Sequence, residues 1–304
     1  MERSSVLYKL RRKMQVAASV IIPAETLCKL YSRAVIKKKV DLKNPRTFNE
    51  KIQWMKIHAY PKMPLVVRCA DKYAVREYLH EKNLDKIAVP LIAAWDDAKK
   101  IDWDALPDKF VLKCNHGCAY NIIVSDKNAL DKVATVRQLN KWLKEDFGAF
   151  NLEFHYSMIE PKMIVCEEFL GECITDYKFF CFNGKPECIY VSSDLVHDRQ
   201  AQIGFFNLDG SKMPLKRDDY VDIPTVALPD FFDSMLKDAQ TLCADFPFVR
   251  VDFFIANGTY YFAELTFTPG GGMMPFNPDK YDLEWGQMID MESLRVNLEA
   301  ESNG

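Results

Sequence analysis

The sequence has no run of eighteen or more apolar residues, and so no helix of its own to span a bilayer. It has no CxxC pair. No GxGxxG follows a strand-like run and no GxxxxGK(S/T) occurs, so dinucleotide binding of the Rossmann type and P-loop chemistry lose their usual support. There is no internal repeat and no flexible linker. Charge of one sign is also lacking: 40 basic against 43 acidic residues leave −3, which argues against a general nucleic-acid coat. Nine cysteines, at positions 28, 69, 114, 118, 166, 173, 181, 188 and 243, are odd in number and scattered through apolar runs. That excludes a disulfide framework and predicts reduced, buried thiols in a cytosolic protein. What remains is 304 residues, 48 % apolar and 27 % charged. This is enough chain for about two domains and excludes disorder, collagen and low complexity.

Charge is uneven along the chain. Residues 1–40 hold ten Lys or Arg against Glu2 and Glu25, a net +8, which leaves −11 for residues 41–304. An apolar run, Val16 to Ile22, follows Arg11-Arg12-Lys13. It has the outline of a signal peptide, but Pro23 and Glu25 end it and no small-residue cleavage site follows. Two readings stand: a basic amphipathic arm on an anionic surface such as the inner leaflet, or a helical extension packed on the body with a solvated basic face. The second is favoured.

Asn44-Pro45-Arg46 is a turn, and Thr47 with Glu50 forms a capping box opening a helix with Ile52, Met55 and Ile57 on its apolar stripe. Asp71 is expected to open a second helix carrying Lys72, Tyr73, Val75, Tyr78 and Leu79. Strands are predicted over 87–95 (an edge or a bend, because of Pro90), 110–114, 120–124 and 163–169. A helix from Asp126 or Asp131 runs to Phe147, and another opens at Pro229. Hairpins are predicted at Asn183-Gly184 and Asn257-Gly258. Strands paired as hairpins and mixed with helices indicate an α+β architecture.

Four stretches carry charge into apolar strands. In FVLKCNHGCAYN, Lys113 ends a strand before a loop of small and polar residues; it is either a phosphate contact or an exposed hairpin lysine. In IVCEEFLGE, alternation sends Glu167 and Glu168 to opposite faces, to meet a ribose or amine, or simply solvent. In VRVDFF and FAELTFTPGGG, Arg250 and Asp252 share a face, Glu264 and Thr266 share a face, and the tight turn makes Asp252 and Glu264 cross-strand neighbours. Both faces of that hairpin are apolar, so its charges are expected to be partly buried. Two carboxylates beside an arginine with no His or Cys suit a hard cation such as Mg²⁺. In ITDYKFFCF, Asp176 and Lys178 share a face, as an ion pair or as a second phosphate or substrate contact.

The order of these stretches resembles the ATP-grasp superfamily and, more closely, the TupA-like ATP-grasp group of polysaccharide and teichuronopeptide synthesis. The likeness spans roughly residues 41–291, through NPRTFNEKIQWMKI, DKYAVREYL, LPDKFVLKCNHG, KWLK, CEEFL, DYKFFCFNGKP, FPFVRVDFF and AELTFTPGGG. It implies an ATP-grasp fold in which two α+β lobes clamp ATP. The expected division is a basic helical extension over 1–40, a preceding region over 41–110, an ATP-grasp core over 111–291 (lid lobe 111–168, metal-binding lobe 169–291) and a tail over 292–304. By the resemblance, Lys72 and Lys113 hold the α- and β-phosphates. Asn115, His116, Gly117 and Asn121 belong to the mobile loop over the phosphates. Glu167, Glu168, Phe169 and Leu170 form the hinge beside adenine, and Asp176 adds a nucleotide-side contact. Asp252 and Glu264 are the Mg²⁺ ligands, and Thr266 stands where many ATP-grasp enzymes carry asparagine. Arg250, Lys113 and Lys178 are the catalytic cations. The loop departs from the group: Gly117-Cys118-Ala119-Tyr120 replaces a glycine-rich run, which restricts φ and sets Tyr120 where a phosphate would sit.

The implied chemistry is a carboxylate–amine ligation. ATP and Mg²⁺ activate a carboxylate as an acylphosphate, and an amine displaces phosphate to give an amide on a sugar acid or amino acid. This requires no Ser-His-Asp or Cys-His set, and none is apparent. The partners implied are these small molecules and a peripheral contact with membrane-bound polysaccharide machinery, with the protein cytoplasmic at the inner face of the membrane. Two rivals remain: a glycosyltransferase, for which Asp96-Asp97 and Asp218-Asp219 lack the strand context of a DxD motif, and a non-catalytic nucleotide-binding partner in a capsule assembly. Cys114, His116 and Cys118 invite a zinc reading, but their spacing fits no standard finger.

Overall fold

The computed structural model describes residues 6–172, 174–193 and 202–302. Helices α1 (Val6–Ile21) and α2 (Ala24–Val35) are separated at Pro23, which has no N–H to continue a helical ladder. The predicted capping box then forms: the Thr47 hydroxyl accepts from Glu50 N, and Glu50 accepts from Thr47 N, at the start of α3 (Phe48–His58). Helix α4 (Pro64–Ala70) leads to α5 (Val75–Glu81).

A small sheet comprises β1 (Leu91–Trp95), β2 (Phe110–Cys114), β3 (Asn121–Val124) and β4 (Ile164–Glu168), in the order β1-β4-β2-β3. Strand β1 lies at its edge directly after Pro90, as the proline requires. Because β1 pairs with β4, this sheet starts twenty residues before the boundary expected at 111. Between β3 and β4 lie α6 (Lys132–Leu143), capped by Asp131, then α7 (Phe147–Asn151) and α8 (Phe154–Ser157). Phe147 therefore belongs to a separate helix capped by Asp146, not to the end of α6. The large sheet comprises β5 (Thr175–Phe182), β6 (Lys185–Ser193), β7 (Gln202–Asn207), β8 (Val221–Asp222), β9 (Phe248–Ala256) and β10 (Thr259–Thr266). Its order is β10-β9-β5-β6-β7-β8. Helix α9 (Phe232–Cys243) precedes β9, and α10 (Lys280–Met288) and α11 (Met291–Ser302) follow β10. The stretch expected as a tail is thus largely helical, and Leu294 is buried.

Both faces of the large sheet are covered. On one, α9 places Phe232 5.6 Å from Phe179. On the other, Phe48 meets Phe248 edge-on at 5.0 Å and Trp285 lies 4.8 Å from Phe180. Eight described cysteines are unpaired and seven of them are buried; Cys173 lies outside the described residues.

Helix α3 also carries a polar stripe that the apolar pattern did not predict. Asn49, Gln53 and Lys56 fall on one face at helical spacing and bind the backbone after β10. Asn49 exchanges hydrogen bonds with Met274, both at 2.8 Å; Gln53 donates to Gly272 O (2.9 Å) and Lys56 to Gly271 O (2.6 Å). Gly272 has φ +75°, and a Cβ there would lie 2.7 Å from Gln53 Cγ. The glycine turn lets α3 grip the end of β10, and that grip fixes Glu264 and Thr266.

Two histidines are fully buried. His155 is ringed by Tyr60, Tyr156 and Phe267, and neither ring nitrogen has a partner. Burial, helped by Lys56, holds it at about 3; burial and Lys162 hold His116 at about 4. Each stays neutral in the fold, whereas the unfolded chain takes up protons below about pH 6.5. Stability is therefore full above that value and falls as the pH drops toward 4. At pH 5 the two histidines together should cost about 4 kcal/mol. Thermal melts at about pH 7.5 and 5 test this, and His155→Phe should remove about half of the loss.

Candidate active site

The Asn257-Gly258 turn has positive φ at both residues (54° and 73°), the geometry that matches the twist of a tight hairpin. A bulge between Phe262 and Glu264 then shifts the register by one residue, which brings Glu264 opposite Asp252 and Thr266 opposite Arg250. On the other side of β9, Lys178 of β5 is opposite Asp252, and Tyr190 of β6 is opposite Lys178. Glu264, Asp252, Lys178 and Tyr190 thus form one row across four strands. This is the face that, toward the Asn183-Gly184 turn, carries the buried Phe180, Phe182 and Phe248.

The row is closely bonded. Arg250 grips Asp252 with two hydrogen bonds, Nε to Oδ1 at 2.7 Å and Nη2 to Oδ2 at 2.6 Å, and also donates to Thr266 Oγ1 at 3.1 Å. Lys178 Nζ lies 3.3 Å from Asp252 Oδ2 and 2.9 Å from Asp176 Oδ1, and Ser192 donates to Asp176 at 3.3 Å. Thr266 donates to Glu264 Oε1 at 3.0 Å. Asp252 is fully buried, whereas the Glu264 side chain is 32 % exposed. Burial therefore pushes the Asp252 carboxyl up in spite of Arg250 and Lys178. For Glu264, burial is outweighed by Lys72, Arg250 and Lys178, which hold its carboxyl below the usual range. Burial would lower Lys178, but Asp252 and Asp176 raise it.

The small sheet contributes from the opposite side. Lys113 on β2 forms a 2.5 Å ion pair with Glu167 of β4, and Arg76 lies 3.8 Å from the same carboxylate while donating to Val89 O. Lys113 Nζ is also 5.8 Å from the ring centroid of Phe254 on β9, so it stands between the two sheets. Lys72 Nζ donates to Gly117 O at 2.7 Å and lies 3.8 Å from Glu264 Oε2. Both lysines singled out in the sequence therefore reach the space facing the β9–β10 hairpin. At the passage from β4 to β5, Leu170 is buried with Val89 and Ala256, against Ile174, Phe254 and Tyr261. Phe169 is half-buried, and Glu168 is exposed on the face opposite Glu167.

Several expectations change. Lys72 is not on a helix: Asp71 accepts from Tyr73 N and Ala74 N, so residues 72–74 form a turn before α5. Asn115 is a structural tie, donating to Asp71 and Pro161 O and accepting from Met163 N. His116 does not face the cleft; its ring is buried, with Nε2 3.0 Å from Trp142 O. Tyr120 does not fill a phosphate position either. It stacks on Trp142 at 5.1 Å and donates to Glu145 at 2.6 Å, inside the small lobe. Gly117 packs so closely on Phe147 that a Cβ would lie 2.7 Å from its ring. Aromatic packing on Trp142 and Phe147 thus anchors the loop. Asn121 is exposed at the start of β3, and Asp176 serves Lys178. The paired aspartates of the rival reading are surface structure. Asp97 caps a short turn and accepts from Asn140, and Asp219 pairs with Arg217. Arg76 and Ser192 were not singled out, since neither lies in a charged strand motif.

Among the described residues, no three His, Cys, Asp or Glu side chains converge on one point. A cation here would rest on Glu264 and Thr266, with Asp252 once Arg250 releases an oxygen. That is an all-oxygen set suited to Mg²⁺.

The chain's sequence matches the TupA-like ATPgrasp family model over residues 50–290. No curated protein matches it. Similar solved structures include the D-alanine–D-alanine ligase of Bacillus anthracis complexed with ATP, 15 % identical over 77 % of this chain and 69 % of that one, with a TM-score of 0.48. The D-alanine–D-alanine ligase of Helicobacter pylori is 14 % identical over 80 % and 69 %, with a TM-score of 0.47. The L-amino acid ligase of Bacillus licheniformis is 12 % identical over 68 % and 42 %, with a TM-score of 0.42. These scores are all below 0.5, so membership rests on the sequence match, which takes in both sheets and the cleft between them. The chain belongs to the TupA-like ATP-grasp family, and its two-sheet α+β architecture is the ATP-grasp fold.

Proposed function

We propose that the protein is an ATP-dependent carboxylate–amine ligase that forms an amide on a sugar acid or amino acid in cell-surface polysaccharide synthesis. The observation that carries this reading is the opposition of Lys72 and Lys113 to the Arg250–Asp252–Glu264 hairpin, with Lys72 3.8 Å from Glu264. The two sheets are the two lobes, divided at residues 169–174.

Lys72 and Lys113 are placed to hold phosphates by point charge, and Lys113 must then exchange Glu167 for a phosphate oxygen. Phe254, 5.8 Å from Lys113 Nζ and packed against the buried Leu170 and Val89, would give a base its apolar contact. Glu264 and Thr266 would hold Mg²⁺, which when bound neutralises the phosphates and the acyl phosphate formed from the carboxylate. Arg250, held by Asp252, would present its guanidinium to the transferred group and give up one Asp252 oxygen as the cation enters. Lys178 is pinned between Asp176 and Asp252 and, with Arg250, opposes the burial that pushes the Asp252 carboxyl up. None of these residues forms a covalent bond; they position reactants and neutralise charge. The polysaccharide role follows from the family resemblance.

ADP release, measured over paired panels of sugar acids or amino acids with amines, tests the reading. ADP formation that requires both an acid and an amine, with the acyl phosphate trapped by hydroxylamine, is expected. Release of UDP from UDP-sugars without any use of ATP would overturn it.

A further inference from the structure

Helix α1 carries apolar side chains on two sides, one packed on the body and one turned outward. With about 100° between successive residues, Leu10, Met14, Ala17 and Ile21 form one narrow stripe. That stripe faces solvent: Leu10 is 52 % exposed, Met14 64 % and Ile21 81 %. Arg11 and Lys13, both exposed, flank it on either side. The side against the body mixes Val16, Ala18 and Ile22, which pack on the core, with polar groups. Gln15 is buried, and the Arg12 guanidinium stacks 4.1 Å from the Phe150 ring centroid. A helix selected only to pack on the body would bury Met14 and Ile21 and expose Gln15. The extension therefore does pack on the body, but its outer face is apolar between cations and not simply a solvated basic face.

Charge selects the partner. Residues 1–40 carry +8 and the rest of the chain −11. An anionic plane would attract this end and repel the remainder, which fixes orientation as well as contact. A symmetric dimer through this face would bring two positive ends together and be repelled. Among the described residues no helix is long and apolar enough to cross a membrane, so α1 would lie in the interface and not span it.

We propose that α1 docks the protein on an anionic lipid bilayer, with Leu10, Met14 and Ile21 inserted below the headgroups and Arg11 and Lys13 at the phosphate level. The test is sedimentation of the full chain with vesicles of phosphatidylcholine alone or with about 30 % phosphatidylglycerol. Partitioning at least about tenfold stronger on the anionic vesicles is expected, weakening as salt rises about tenfold. Met14→Asp/Ile21→Asp should lower partitioning at least about tenfold, and Arg11→Ser/Lys13→Ser about as much. Both variants should melt within about 2 °C of the wild type, because the changed side chains are exposed. Equal binding to neutral vesicles, no binding, or unimpaired binding of the Met14/Ile21 variant would overturn the proposal. So would a wild-type dimer in light scattering that becomes monomeric in that variant and ignores vesicles, since a second copy would then be the occupant.

Discussion

Asp252→Ala is expected to lower the stability of the protein by about 3–5 kcal/mol and its melting temperature by roughly 5–15 °C. The carboxylate is fully buried, and it accepts two guanidinium hydrogen bonds from Arg250 while standing 3.3 Å from Lys178. Burial raises the Asp252 carboxyl despite those two cations, so the intact cluster contributes little net stability of its own. Removing one member is different. Arg250 and Lys178 would be left in a sheet interior between Phe180 and Tyr190, with Asp176 on Lys178 and the partly exposed Glu264, 3.9 Å from Arg250, as the remaining carboxylates. Asp252→Asn should lose less, because the amide oxygen still accepts from Arg250. Calorimetric melts at neutral pH measure both changes, and a loss below about 1 kcal/mol for Asp252→Ala would mean that water already reaches the cluster.

Glu264→Gln should separate chemistry from folding. Its carboxylate is the one in the row with solvent access, and glutamine can keep the 3.0 Å hydrogen bond from Thr266. Stability should change by about 1 kcal/mol or less, since its nearest cations lie at 3.8 and 3.9 Å and are only weakly engaged. Mg²⁺-dependent ADP release should fall by about 10²–10³-fold, the usual effect of deleting one charge-stabilising group in a site. The same variant measured by circular dichroism controls for the fold. Unchanged turnover would remove Glu264 from the site, whatever the rest of the hairpin does.

The parts of this fold legible in the sequence are those set by local chemistry. The capping box at Thr47, the two Asn-Gly turns and the apolar strands each follow from contacts within a few residues. The opposition of Asp252 and Glu264 does not follow from the turn alone: a strict two-residue turn would set Ala263 opposite Asp252 and Glu264 on the other face, and the bulge between Phe262 and Glu264 shifts the register by one to bring the two carboxylates together. What escaped the sequence depends on distant partners. Asn49, Gln53 and Lys56 look like a solvated helix face until the glycine turn after β10, more than two hundred residues away, is packed against them. His116 and Tyr120 lie in a loop motif that suggested ligand contact, yet Trp142 and Phe147 draw them into the small lobe. Strand β1 joins the small sheet only through β4, seventy residues later, so composition gave no signal for the lobe boundary. Helix α1 was the subtlest case: its charge was evident, but the face it buries was decided by Phe150.

The central claim is that the cleft between the two sheets is built for Mg·ATP. Calorimetric titration of Mg·ATP and a UDP-sugar panel into the wild type and Lys113→Ala tests it most directly. Lys113 is held by Glu167 at 2.5 Å and stands between the sheets, so it must change partners when phosphate enters. The account predicts Mg·ATP binding by the wild type, weakened at least about tenfold in Lys113→Ala, and no comparable heat from UDP-sugars. UDP-sugar binding without Mg·ATP binding, or Mg·ATP binding indifferent to Lys113, would contradict it.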